Sequence, residues 1–199
     1  CPELRPLWAG VERADSIVVN PHKWMGAQSH CTAHFVRDPA SLVRTLAARP
    51  DFLQTLEHGE VVNYSEWGIP LGRQFRALKL WFVLRAYGLE GLRTRIRNHI
   101  AWSRALCERL RATADFTIVT EPILSLFSFR YAPAGDDDLD ALNLRLVEVI
   151  NADGRIYLTQ TRVDGQVALR FHVGQFDCTE EDVAAAYDAI VDAAARTAP

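Results

Sequence analysis

Apolar β-branched residues crowd the stretch 15–20, where Ser16-Ile17-Val18-Val19 is closed by Asn20-Pro21, and a second such run follows at 32–36. Both read as strands of a buried type, with the polar segment 21–31 between them. Residues 39–47, opened by Pro39, predict a short helix, whereas 48–71 mixes Pro, Gly, Glu, Asn and Tyr without a sustained period. A loop of that length inside a compact domain is expected to be functional or mobile. Over 73–87, Phe75, Leu78, Leu80, Trp81, Phe82 and Leu84 cover most of a helix's circumference, which predicts a largely buried helix that Gly88 is placed to end. A second helix, over 89–113, sets Leu92, Ile96, Ile100 and Leu110 on one stripe and its arginines on the other, as suits a connector between two domains.

Beyond it the pattern changes. Strands are predicted at 116–120 and 123–131, then an amphipathic helix over 138–151 with Leu139, Leu142, Leu146, Val149 and Ile150 inward. Segments 155–161 and 166–173 form a hairpin around Asp164-Gly165, a pair that tolerates positive φ, and Val167, Leu169, Phe171 and Val173 alternate with Ala168, Arg170 and His172. Thr179 and Asp182 make a capping box before a last helix bearing Val183, Tyr187, Ile190 and Val191. The fold class implied is α/β: residues 1–105 as the end of a larger α/β domain, and 106–199 as a small α+β domain with an antiparallel sheet.

Composition narrows the partners. In 199 residues, 49% are hydrophobic and 24% charged, with a net charge of −3, so a soluble chain is expected and no basic field favours nucleic acid or an anionic membrane. No apolar run has the length of a membrane span, and the start lacks the pattern of a signal peptide. Cys1, Cys31, Cys107 and Cys178 are too dispersed for a zinc site, which points to reduced thiols and the cytoplasm. A start at Cys1 rather than Met suggests a piece of something longer.

The chemistry concentrates in Asn20-Pro21-His22-Lys23-Trp24. A lysine at the carboxyl end of a strand lies where α/β folds place ligands, and partial desolvation there would favour the neutral amine that an imine with an aldehyde requires. Asn20 could donate its amide to a phosphate, while His22 offers a proton-handling ring and Trp24 a flat surface. On spacing alone, a solvated loop lysine is the simpler reading. His22, His30 and His34 span a turn without a helical or hairpin pair, so no metal site is expected. Ser29 and Ser103 lack a nucleophile elbow and an obvious base. Asp136–Asp138 with Asp140 read as a solvated helix entrance, and Arg73, Arg76 and Lys79 as salt-bridging residues or an anion site.

Ala14-Asp15-Ser16 and Asn20–Trp24 together resemble the cofactor-lysine motif of the group II pyridoxal 5'-phosphate (PLP) decarboxylases. The stretch from Trp67-Gly68-Ile69-Pro70-Leu71-Gly72-Arg73 on through Trp81 resembles a second signature, that of the aromatic-L-amino-acid decarboxylases. Weaker likeness runs from Cys1-Pro2-Glu3-Leu4 through 123–130 to Leu169-Arg170-Phe171. The resemblance implies fold type I, the PLP-dependent transferase-like fold, with PLP as cofactor, an aromatic L-amino acid as substrate and a homodimer as the working state. Lys23 would be the Schiff-base lysine, Asn20 a phosphate ligand, His22 a residue of the cofactor pocket, and Gly72 a position that leaves room beside the substrate ring.

Two departures bear on function. The family's loop carries a tyrosine as proton donor where this chain, aligned without gaps, has Phe52; in relatives, phenylalanine there accompanies oxidative decarboxylation with deamination to an aldehyde. An aromatic aldehyde synthase is therefore the alternative, unless Tyr64 or His58 takes the tyrosine's place or Phe52 simply packs in the loop. The family's pyridine-nitrogen aspartate, ring-stacking histidine and phosphate loop would all lie upstream of Cys1. These residues alone are expected to bind PLP weakly or not at all, and a non-catalytic truncated homologue is the third reading.

Overall fold

The computed structural model describes residues 1–47 and 61–197. Phe52 and His58 lie outside them. The chain forms two compact units, Cys1–Leu92 and Arg93–Pro199, dividing before the boundary at 105/106 expected from sequence.

In the first unit, 3-10 turns at Pro2–Trp8 and Val11–Arg13 lead into β1 (Ser16–Val19), which pairs antiparallel with β2 (Ala33–Val36). Helix α1 (Pro39–Leu46) follows, its first turn capped by the Asp38 carboxylate, which accepts from Ala40 N at 3.0 Å. A further 3-10 turn, Tyr64–Trp67, precedes the long α2 (Ala77–Arg111). Gly88 interrupts α2 at φ 63° and ψ 176°, a conformation open to glycine and almost no other residue, so the helix stops where the sequence predicts.

Two burial expectations fail in this unit. Neither β1 nor the first part of α2 is buried: Val18, Phe35, Phe75, Trp81, Phe82 and Tyr87 are all at least half exposed. Apolar patterning reports which face seeks cover, and among the described residues β1 has β2 alone as its neighbour in the sheet.

The second unit carries the core. A four-stranded antiparallel sheet has the order β3-β4-β6-β5, built from β3 (Phe116–Ile123), β4 (Leu126–Tyr131), β5 (Thr159–Val163) and β6 (Gln166–His172). Helices α3 (Leu139–Asp153) and α4 (Glu180–Thr197) and the end of α2 complete it. Phe127, Phe129, Leu142, Leu146, Leu169 and Ile190 are fully buried in this cluster. The β5–β6 turn is the one predicted, with Asp164 at φ 49° and Gly165 at φ 82°, and it sets the pairing of Val163 with Gln166. β5 begins at Thr159, opposite Arg170, rather than at 155. The other hairpin differs from expectation: β3 runs on through Pro122 and turns at Leu124, φ 56°. Proline is tolerated there because β3 is an edge strand whose register with β4 shifts on both sides of Thr120.

Capping follows the sequence closely. Asp138 accepts from Ala141 N at 3.0 Å, and Thr179 and Asp182 exchange the reciprocal bonds of a capping box. Asp140 is not a solvated dipole charge. It accepts from Val167 N, Arg162 and Arg130, joining α3 to β4 and to the β5–β6 hairpin, and Arg130 is itself buried. The Val167 N–H first, and then the two guanidiniums, hold the Asp140 carboxyl below its ordinary range. Arg155 and Arg196 do the same to Asp153. A carboxyl depressed in the folded state binds protons more readily when unfolded, so this stabilisation is present above about pH 4 and is lost as pH falls below it. Circular dichroism against pH should show an acid limb below about pH 4 that flattens in an Asp140→Asn/Asp153→Asn double variant; an unchanged limb would refute the assignment.

Candidate functional site

The Lys23 segment begins where β1 ends. Pro21 has no N–H to extend the ladder, and the chain turns twice before returning as β2 with Val19 opposite Ala33. Lys23 lies in both turns: its N–H donates to Asn20 O at 3.0 Å, and its carbonyl accepts from Gly26 N at 3.1 Å. Ala27 N donates to Pro21 O at 3.0 Å, and Pro21, Ala27 and Cys31 are the buried residues that anchor the loop. The backbone around Lys23 is therefore fixed while its side chain stands exposed. Desolvation of the amine, expected from sequence, is not supplied by the described residues, for the same reason that β1 is not buried.

The neighbours of Lys23 are held from across the loop. Thr32 Oγ1 donates to Asn20 Oδ1 at 2.8 Å, which sets the Asn20 amide so that Nδ2 is its donating end. His22 Nδ1 lies 2.6 Å from the Cys31 carbonyl, and His22 N donates to the same oxygen at 3.3 Å. The Cys31 N–H also lies 3.2 Å from Nδ1, so the backbone of Cys31 holds the ring at this nitrogen through both its N–H and its carbonyl. Asn20, His22 and Lys23 thus share one braced loop, and the braces Thr32 and Cys31 are residues that sequence reasoning missed. Their only advance signal was the return of the chain into β2 immediately after them.

The second signature segment is open. Gly72 is exposed, and a Cβ built on it would meet nothing within 4 Å. Gly68 differs, since a Cβ there would come within 2.0 Å of Arg73 Nη2, so glycine makes room for that guanidinium. Tyr64 is exposed and stacks edge-on against Trp67 at 5.8 Å. Lys79 reaches a backbone carbonyl, donating to Ser29 O at 2.9 Å. Ser29 Oγ does have an imidazole 3.3 Å away, that of His30, but both are exposed in a bend that leads to β2 and not in the strand-to-helix turn of a nucleophilic serine.

This segment offers a primary amine at a strand's end, a side-chain amide held by Thr32 and an imidazole held by the Cys31 backbone. The set suits part of a cofactor bearing an aldehyde and a phosphate.

Comparison with known proteins agrees with that chemistry. The chain is 37% identical to a tryptophan decarboxylase of Camptotheca acuminata over 98% of its own length and 40% of the relative's. It is also 37% identical to a phenylacetaldehyde synthase of Arabidopsis thaliana, over 98% of this chain and 40% of that one. A crystal structure of Oryza sativa TDC with PLP and tryptamine superposes with a TM-score of 0.93 at 34% identity, covering 98% of this chain and 42% of that chain. The chain therefore spans about 40% of the length of the curated relatives it matches. Residues 1–132 match the pyridoxal-dependent decarboxylase conserved domain, and the chain belongs to that family.

Proposed function

We propose that the full-length protein decarboxylates an aromatic L-amino acid to its amine and CO2, with PLP held covalently at Lys23. The carrying observation is the Lys23 loop, which presents an exposed amine on a backbone locked by the Asn20, Gly26 and Ala27 bonds, in a chain of the pyridoxal-dependent decarboxylase family. Relatives named for tryptophan and tyrosine decarboxylation support the aromatic substrate class. PLP, when bound, supplies a pyridine ring that accepts the electron pair released as the Cα–carboxylate bond breaks.

In this reading Lys23 Nζ would hold the cofactor through its aldehyde carbon and would be the amine available to take it back after the product leaves. Asn20 Nδ2, oriented by Thr32, donates to the phosphate, and His22 lines the cofactor pocket. Gly72 leaves space beside the substrate ring. Residues 1–105 are proposed as the end of the cofactor-binding domain and 106–199 as the small domain. The apolar surface of β1 and α2 and the four free thiols support a homodimer in a reducing cytoplasm. Borohydride reduction of the full-length protein with PLP should place a stable label on Lys23, and an unlabelled Lys23 would remove the proposal.

Phe52 and the similarity to a phenylacetaldehyde synthase favour one second reading. A phenyl ring cannot return a proton to Cα, and substrate, O2 and water would then yield aldehyde, CO2, ammonia and hydrogen peroxide. Incubation with aromatic amino acids separates the two. The main reading expects amine and CO2 in equal amounts with no peroxide, whereas aldehyde, ammonia and peroxide in equal amounts would establish the second.

A further inference from the structure

Two contacts tie the Lys23 loop to the start of α2, across 45 and 50 residues of sequence. Cys31 Sγ donates to Arg76 O at 3.5 Å, and Lys79 Nζ donates to Ser29 O at 2.9 Å. On the helix side the anchor points, 76 and 79, are one turn apart; on the loop side they are 31 and 29. They therefore fix the direction of the return segment as well as its position. Cys31 is buried; its carbonyl accepts from His22 N, and its carbonyl and N–H both lie within hydrogen-bond distance of Nδ1 of His22, the residue beside Lys23. The path from Lys79 to Lys23 runs through Ser29, Cys31 and His22.

We propose that Lys79 is a positioning residue for Lys23, its ammonium clamping the Ser29 carbonyl so that the braced loop presents the amine to a cofactor bearing an aldehyde and a phosphate. This rests on Lys23 being the cofactor lysine. Backbone carbonyls are strong acceptors, and a bond from a charged donor is stronger than a neutral one. Lys79 is half-buried but its bond to Ser29 is exposed, so solvent weakens the clamp and a modest effect is expected. Loss of the clamp leaves every bond within 20–27 in place and frees the return segment 28–31 to move. The affected quantity is how often Asn20, His22 and Lys23 are jointly in place, which is cofactor affinity.

The test uses the full-length protein, stripped of PLP and titrated with it. Lys79→Met should raise the half-saturating PLP concentration about fivefold, while Lys79→Arg, which keeps a charged donor, should restore most of it. Borohydride labelling of Lys23 at sub-saturating PLP should fall in parallel, and the melting temperature of the PLP-free protein should stay close to wild type. Cys31→Ala, which removes the second tie, should weaken PLP in the same direction. Wild-type affinity in Lys79→Met overturns the proposal, as does an Arg variant no better than Met, or a loss of affinity that only tracks a loss of melting temperature. A wild-type Lys23 that takes no label removes the parent reading and this one with it.

Discussion

Lys23→Ala in the full-length protein is expected to lower turnover of aromatic amino acids by about three orders of magnitude or more, and to release PLP on gel filtration. The size of the effect follows from the residue doing two jobs. In the proposed function its amine would hold the aldehyde covalently between turnovers and would be the group that takes the cofactor back after the product leaves. The bonds that shape the loop are made by the Lys23 backbone, to Asn20 O and from Gly26 N, so removing the side chain should leave the turn intact. Loss of the side chain therefore tests chemistry rather than folding. Circular dichroism should be unchanged while absorbance from bound cofactor disappears. Near-normal turnover in Lys23→Ala would mean that some other amine does this work.

The largest stability effect outside the packed core is expected at Asn143. Fully buried on α3, it accepts from Tyr131 N at 2.9 Å and donates to Tyr131 O at 2.8 Å and to Leu139 O at 2.8 Å. The pairing of β4 with β6 ends at Phe129 and Leu169, so at Tyr131 the Asn143 amide takes the place of a neighbouring strand. Asn143→Ala would strand one buried N–H and one buried C=O, costing ~3 kcal/mol or more. The midpoint of chemical unfolding should fall, and the Tyr131 amide should lose protection against hydrogen exchange. Unchanged protection would show that this bond does not hold the strand's end.

Local chemistry was the legible part of the sequence. Asn-Pro closing a β-branched run, Asp164-Gly165, Thr179 with Asp182, and Gly88 each carry a mechanism that acts over a few residues, and each produced the expected turn, cap or stop. Three-dimensional partnerships were less legible. Asp140 looked like a dipole charge because its partners Arg162 and Val167 are 22 and 27 residues away. The first strand of the second unit was expected to end at 120, whereas it runs to Ile123 through Pro122, because a proline's place on an edge strand depends on which strands pair. Burial of β1 and of the first part of α2 was over-read, since apolar content states a need for cover and not its presence. Asn20, His22 and Lys23 were singled out from the motif as candidates, whereas Thr32, Cys31 and Lys79 were missed in their bracing contacts because bracing depends on where a chain returns.

The stop at Gly88 has a consequence for handedness. A side chain at Cα makes a residue chiral and disfavours the positive φ seen there, whereas glycine, with two hydrogens, has no such bias. The direction in which the polypeptide leaves one rod and enters the next is therefore decided at the single achiral residue between them. An uninterrupted rod of the same 35 residues would run roughly 50 Å, so one missing methyl group separates two short levers from a single long one.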